Sequence, residues 1–107
     1  MKPAFIYTPT SDLPASAAFF RDTLGLEEAW REGDDTVAFS LPDSDLQLMV
    51  STSPGSSGPM FLVDSATEWV REHPAVQVVV PFEEIPGGSV VGLHDPDGNA
   101  FYVFDQE

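Results

Sequence analysis

Two tyrosines, two histidines and no cysteine are what this chain offers for proton chemistry beyond its carboxylates. Tyr7 and Tyr102 can donate hydrogen bonds to a carbonyl or an oxyanion, and His94 can act as acid or base where it borders a cavity. The same tyrosines can also serve as amphipathic wall residues, and a histidine at a strand end commonly makes a hydrogen bond or stands half exposed. His73, in the last turn of a short helix, is suited to that place by the helix dipole. No Ser/His/Asp set, phosphate-cradling glycine loop or pair of inward carboxylates emerges. Gly55, Gly58, Gly87 and Gly88 read as turn glycines, and Asp34, Asp35, Asp43, Asp45, Glu83 and Glu84 as solvated loop charges.

The elements that must position these groups centre on His94-Asp95-Pro96-Asp97-Gly98-Asn99 and the run Ala100 to Asp105. Asp95, Pro96 and Gly98 are the residues a type I turn asks for, so Ser89 to His94 and Asn99 to Phe104 read as a hairpin. Both strands are apolar on both faces, as in a sheet covered on one side and lining an enclosed space on the other.

The chain upstream repeats a pattern. Ala4 to Thr8 is a first strand with Phe5 and Tyr7 on one face. Asp12 caps a helix whose stripe is Leu13, Ala17, Phe20 and Leu24, and Gly25 ends it with Leu26 packing back. Glu27 to Glu32, Thr36 to Leu41 and Leu46 to Ser51 follow as strands. After the linker-like Ser51 to Gly58 come a strand at Met60 to Val63, a helix opened by Ser65-Ala66-Thr67-Glu68 and stopped by Pro74, a strand at Val76 to Phe82, a turn region from Glu83 to Gly88, and the hairpin. The order βαβββ therefore occurs twice, at a spacing of roughly 50 residues. The expected fold is α+β: two βαβββ modules in tandem, with curved mixed sheets closing around a central cavity and one helix per module outside. Residues 1–107 form a single domain in this reading, with module one at about 1–51, a linker at about 52–58 and module two at about 59–107.

Composition narrows the partners. Four Lys and Arg against eighteen Asp and Glu give a formal net charge of -14, which repels phosphate backbones and anionic lipid heads and would attract a cationic ligand. No apolar run approaches the ~20 residues of a membrane span, and neither an export signal nor a disulfide framework is indicated. The expectation is a cytoplasmic protein with no nucleic-acid or membrane partner.

Ser11 to Leu26 (Ser-Asp-Leu-Pro-Ala-Ser-Ala-Ala-Phe-Phe-Arg-Asp-Thr-Leu-Gly-Leu) and Asp95-Pro96-Asp97-Gly98-Asn99-Ala100-Phe101-Tyr102 resemble the vicinal oxygen chelate superfamily, also called the glyoxalase, bleomycin-resistance and dioxygenase superfamily. The resemblance implies paired βαβββ modules over nearly the whole chain and a homodimer, with or without exchange of modules. In metal-using members, four cavity-facing side chains, usually His or Glu, bind a divalent ion. Carried onto this chain, the first of those positions falls on Phe5, its equivalent on Gly58, the last on Tyr102, and the counterpart of Tyr102 on Leu48, or on Gln47 with a slip of one residue. Shifting each position by one recovers only Gln47, with His94 and Asp95 the nearest other candidates. No metal and no cofactor is therefore expected.

What remains for a cavity is aromatic and sulfur-bearing: Phe5, Tyr7, Trp30, Phe39, Met49, Met60 and Tyr102, with Gln47 and His94, the faces of Trp30, Phe39 and Met49 not being fixed by the sequence. The favoured expectation is a metal-independent small-molecule binding protein taking a cationic or aromatic compound, similar in role to the bleomycin-resistance group. The alternative is a lyase, isomerase or dioxygenase using a non-standard metal site or Tyr102 and His94 as acid and base.

Overall fold

The computed structural model describes residues 1–107. The chain divides into two compact units, Phe5–Ser57 and Met1–Ala4 with Gly58–Glu107. In the first unit, β1 (Lys2–Pro9, from Phe5 onward) is followed by α1 (Leu13–Ala18), a π-helical turn (Phe19–Thr23), β2 (Glu27–Glu32), β3 (Thr36–Ser40) and β4 (Gln47–Ser51). The second contains β5 (Gly58–Leu62), α2 (Ala66–Glu72), β6 (Gln77–Ile85), β7 (Gly88–His94) and β8 (Ala100–Gln106). Each is βαβββ, and the fold is α+β. The strand orders are β2-β3-β4-β1 and β5-β8-β7-β6, with β1 parallel to β4, β5 parallel to β8, and all other pairs antiparallel.

Both helices begin where a short polar side chain can accept from an otherwise unpaired backbone N–H. The Asp12 carboxylate accepts from Ala15 N at 3.1 Å, and the Ser65 hydroxyl accepts from Glu68 N at 3.2 Å. Each helix then covers one face of its sheet. Leu13 and Ala17 pack on Val37, Phe39, Leu48 and Val50 in the first unit. Ala66 packs with Val91, Leu93 and Val103 in the second, flanked by Val63, Trp69, Val70 and Phe101.

The stripe read from the first helix holds only through Phe20. Leu24 is exposed, because the turn from Phe19 is wound with Leu24 N donating to Phe19 O, five residues back at 3.3 Å. Gly25 has φ 71° and lets the chain reverse, so that Leu26 N reaches Phe20 O at 3.0 Å and the Leu26 side chain joins the core instead.

Two other expectations need correction. Glu83 and Glu84 belong to β6, which runs on to Ile85 and leaves Pro86 and Gly87 as the turn, since Glu83 pairs with Val90 and Glu84 with Ser89. Gly58 and Gly88 are strand residues: a Cβ at either would collide with the backbone of Ala100 or Asp105 on the adjoining strand β8, so close approach rather than turning requires glycine there. The β7–β8 hairpin is a type I turn closed by a left-handed Gly98 at φ 84°. Gly98 N donates to Asp95 O and Asp95 N to Asn99 O, each at 3.0 Å.

Candidate functional site

Strand register assigns faces, because side chains alternate across a strand and paired residues share a side. In the first unit Phe5 pairs with Gln47, Tyr7 with Met49, Ser40 with Gln47 and Ala38 with Met49. These residues lie on the face opposite α1. Leu48 and Phe39 point into the core beneath the helix, and Phe39 meets Phe20 at 6.0 Å between ring centroids. Phe39 therefore leaves the list of wall candidates, and Leu48 is not a counterpart of Tyr102. In the second unit Met60 pairs with Tyr102, Tyr102 with Gly92 and Ala100 with His94, all on the face opposite α2.

The two units correspond residue by residue. Thr10 N donates to Ser51 O and Val63 N to Phe104 O, so Thr10 matches Val63 and Ser51 matches Phe104. Through the same registers Phe5 matches Gly58, Tyr7 matches Met60, Gln47 matches Ala100 and Met49 matches Tyr102. The counterpart of Tyr102 is thus Met49, not Gln47. The slip arose because the turn between β3 and β4 is one residue longer than the turn between β7 and β8.

At the positions where metal-using relatives carry ligands this chain presents Phe5, Met49, Gly58 and Tyr102. A phenol is the single oxygen donor of the four, beside a weakly basic thioether. No group of three or more His, Cys, Asp or Glu side chains is arranged to hold an ion. These residues do not fit a divalent cation that needs converging imidazole or carboxylate donors.

The Tyr7 hydroxyl is 2.6 Å from Ser53 O, to which it donates, and 3.1 Å from Pro54 O. Its one proton is spent on the linker. Tyr102 is buried, and its ring lies across Gly92: a Cβ there would stand 3.0 Å from Tyr102 Cε2 and 2.6 Å from Val80 Cβ. Gly92 is a positioning residue that the sequence reading passed over, although an isolated glycine inside a strand signals such an approach. His94 is half-buried at the end of β7 on the same face as Tyr102. Asp95 beside it serves the turn: its carboxylate accepts from Asp97 N at 2.9 Å, Asn99 N at 2.8 Å and Asn99 Nδ2 at 3.0 Å. Those bonds, the Asn99 side chain's first, hold the Asp95 carboxyl below the usual aspartate range.

Trp30 reaches the Phe5–Gln47 face by an irregularity. Glu28 pairs with Phe39 but Trp30 with Ala38, so a bulge at Ala29 turns Trp30 away from the helix side. Its ring stands edge-on to Phe5, with centroids 6.0 Å apart and planes at 86°, and its Nε1 donates to Gln47 Oε1 at 2.9 Å.

A separate open groove of about 780 Å³ lies along α2 in the second unit, lined in part by Asp64, Glu68, Glu72, Trp69 and Lys2. None of the seven residues expected to bind ligand lines it. Glu68 is paired with Arg71, and the Trp69 ring is stacked on His73 at 4.0 Å.

Two βαβββ units, each with a helix-free sheet face carrying aromatic and sulfur-bearing side chains, define an α+β fold of paired modules. The family model for the Glyoxalase/Bleomycin resistance protein/Dioxygenase superfamily matches residues 4–103, and the chain belongs to that superfamily. No curated protein sequence matches it. Among solved structures it is similar to one described as NAD-dependent benzaldehyde dehydrogenase from Legionella pneumophila, with 15% identity, a TM-score of 0.76 and coverage of 96% of this chain and 98% of that one. It is similar to methylmalonyl-CoA epimerase from Mycobacterium tuberculosis at 16% identity and a TM-score of 0.67, covering 99% and 88%. A glyoxalase/bleomycin resistance protein/dioxygenase superfamily member from Vibrio splendidus matches at 16% identity and a TM-score of 0.63, covering 96% and 97%. These likenesses establish the fold. No helix is long and apolar enough to cross a membrane.

Proposed function

We propose that this chain is a small-molecule binding protein of the superfamily that works without a metal ion and takes a cationic or aromatic compound on its helix-free sheet faces. The observation that carries the reading is the residue set Phe5, Met49, Gly58 and Tyr102 at the family's ligand positions, which replaces ion-binding donors with ring, thioether and backbone surface. Phe5, Tyr7, Gln47 and Met49 in one unit and Met60, His94 and Tyr102 in the other are the residues assigned to the ligand. Aromatic and sulfur surfaces gain most from burying a flat apolar body, and the formal charge of -14 favours a cation over an anion.

A thermal-shift screen of basic and planar compounds, run with a chelator present, tests this. Stabilisation by at least one compound, reduced in Tyr102→Ala and Met49→Ala, is expected. Absence of stabilisation across cationic and planar members alike contradicts it. The protein is further proposed to be a homodimer, so sedimentation equilibrium should return twice the chain mass of 11.6 kDa; a single-chain mass refutes that part alone.

A further inference from the structure

The ligand-binding reading leaves open how a bound molecule would be oriented, and the corner formed by Phe5, Trp30 and Gln47 supplies an answer. An indole Nε1 can only donate, so the Gln47 atom 2.9 Å from it must be the carbonyl oxygen. The amide is thereby fixed in one of its two flips, with Nε2 turned away from Trp30. Gln47 is only partly buried, and its amide makes no hydrogen bond within the chain besides the one to Trp30. No buried side-chain nitrogen or oxygen lacks a partner, so Nε2 is open to solvent or to a ligand. Both of its N–H groups are donors.

Around this donor the walls are aromatic. Phe5 is the direct cross-strand neighbour of Gln47, and Trp30 stands edge-on to Phe5 at 86°. Such a right-angled pair sets two aromatic rings at an angle beside the amide. We infer that the Phe5–Trp30–Gln47 corner is the orienting subsite of the ligand face, and that it selects a planar, uncharged or cationic molecule presenting a hydrogen-bond acceptor, such as a ring carbonyl, to Gln47 Nε2. This rests on the small-molecule reading and adds Trp30, a direction of hydrogen bonding and a chemical class to it. An acceptor left without the amide donor loses its partner in a partly dry site, which is how polar groups discriminate between ligands of one shape.

The test titrates the full-length, 15N-labelled chain with two probes of one ring size, 1-methyl-4-quinolone, which carries the carbonyl, and 1-methylquinolinium, which does not. The quinolone should move the Gln47 side-chain amide and Trp30 indole signals and leave the Trp69 indole in place. Gln47→Glu keeps an acceptor for Trp30 but has no donor, so it should weaken quinolone binding about tenfold and spare or strengthen quinolinium binding. Trp30→Phe releases the amide and should narrow the preference between the probes. Equal responses to both probes, or no shift at Gln47 at millimolar quinolone, overturn the inference. If the probes instead perturb Tyr102 and Met60 with Gln47 silent, the subsite is wrong and small-molecule binding stands. Should no compound of the wider screen bind anywhere, the underlying reading falls.

Discussion

Met60 and Tyr102 stand side by side in parallel register on β5 and β8, and Tyr7 and Met49 do the same on β1 and β4 with the residue types exchanged. Each unit has one ring and one thioether at this place, carried by opposite strands of the pair. The Tyr7 hydroxyl donates to the linker carbonyl of Ser53 and stands 3.1 Å from that of Pro54.

Tyr7→Phe should therefore act on stability. Losing a part-buried hydrogen bond costs about 1 kcal/mol, and the acceptors left behind lie in a solvent-reachable linker. Urea unfolding should show a drop of that size with an unchanged slope. A loss of ligand affinity at unchanged stability would instead place this hydroxyl in ligand binding.

Gly92→Ala should disturb the site through Tyr102. The new methyl group meets Val80 at 2.6 Å and the Tyr102 ring at 3.0 Å, and overpacking of this kind costs about 1–3 kcal/mol. Ligand affinity should fall as the ring moves, and the Tyr102 ring signals should shift. A variant with wild-type stability and affinity would contradict the proposed positioning role.

Asp105 ties the start of α2 to β7. Its carboxylate accepts from Ala66 N at 2.6 Å and Ser89 N at 3.0 Å. Asp105→Ala should destabilise by about 1–3 kcal/mol, and hydrogen exchange at Ala66 and Ser89 should accelerate beyond the global effect. Unchanged protection at both amides would refute the tie.

The Asp95 turn predicts a pH dependence. A carboxyl whose folded-state pKa is depressed stabilises the fold above its unfolded pKa, and that contribution disappears as pH falls through the folded value. Asp95→Asn should therefore have a lower urea midpoint than wild type at pH 7, with the gap closing in acid below the ordinary aspartate range. A gap independent of pH would show that hydrogen bonding other than to the carboxylate accounts for it.

Much of this architecture is legible in the sequence because caps and turns are local. Asp12, Ser65, Gly25 and Asp95-Pro96-Asp97-Gly98 mark boundaries through their own backbone chemistry. Faces are less legible, since they depend on register, and one residue reverses them. Without the bulge at Ala29, Trp30 would point beneath α1, and the longer β3–β4 turn displaced the counterpart of Tyr102 from Met49 to Leu48 or Gln47. The π-helical turn that exposes Leu24 leaves no periodic trace either.

Metal content is the sharpest check on the proposal that this member of the superfamily binds its ligand without an ion. Protein purified without chelator or metal-affinity resin should contain negligible metal by elemental analysis and should stay so after incubation with Mn, Fe, Ni and Zn salts followed by desalting. Near-stoichiometric retention of any of these ions would contradict the account and move the enzyme reading ahead of it.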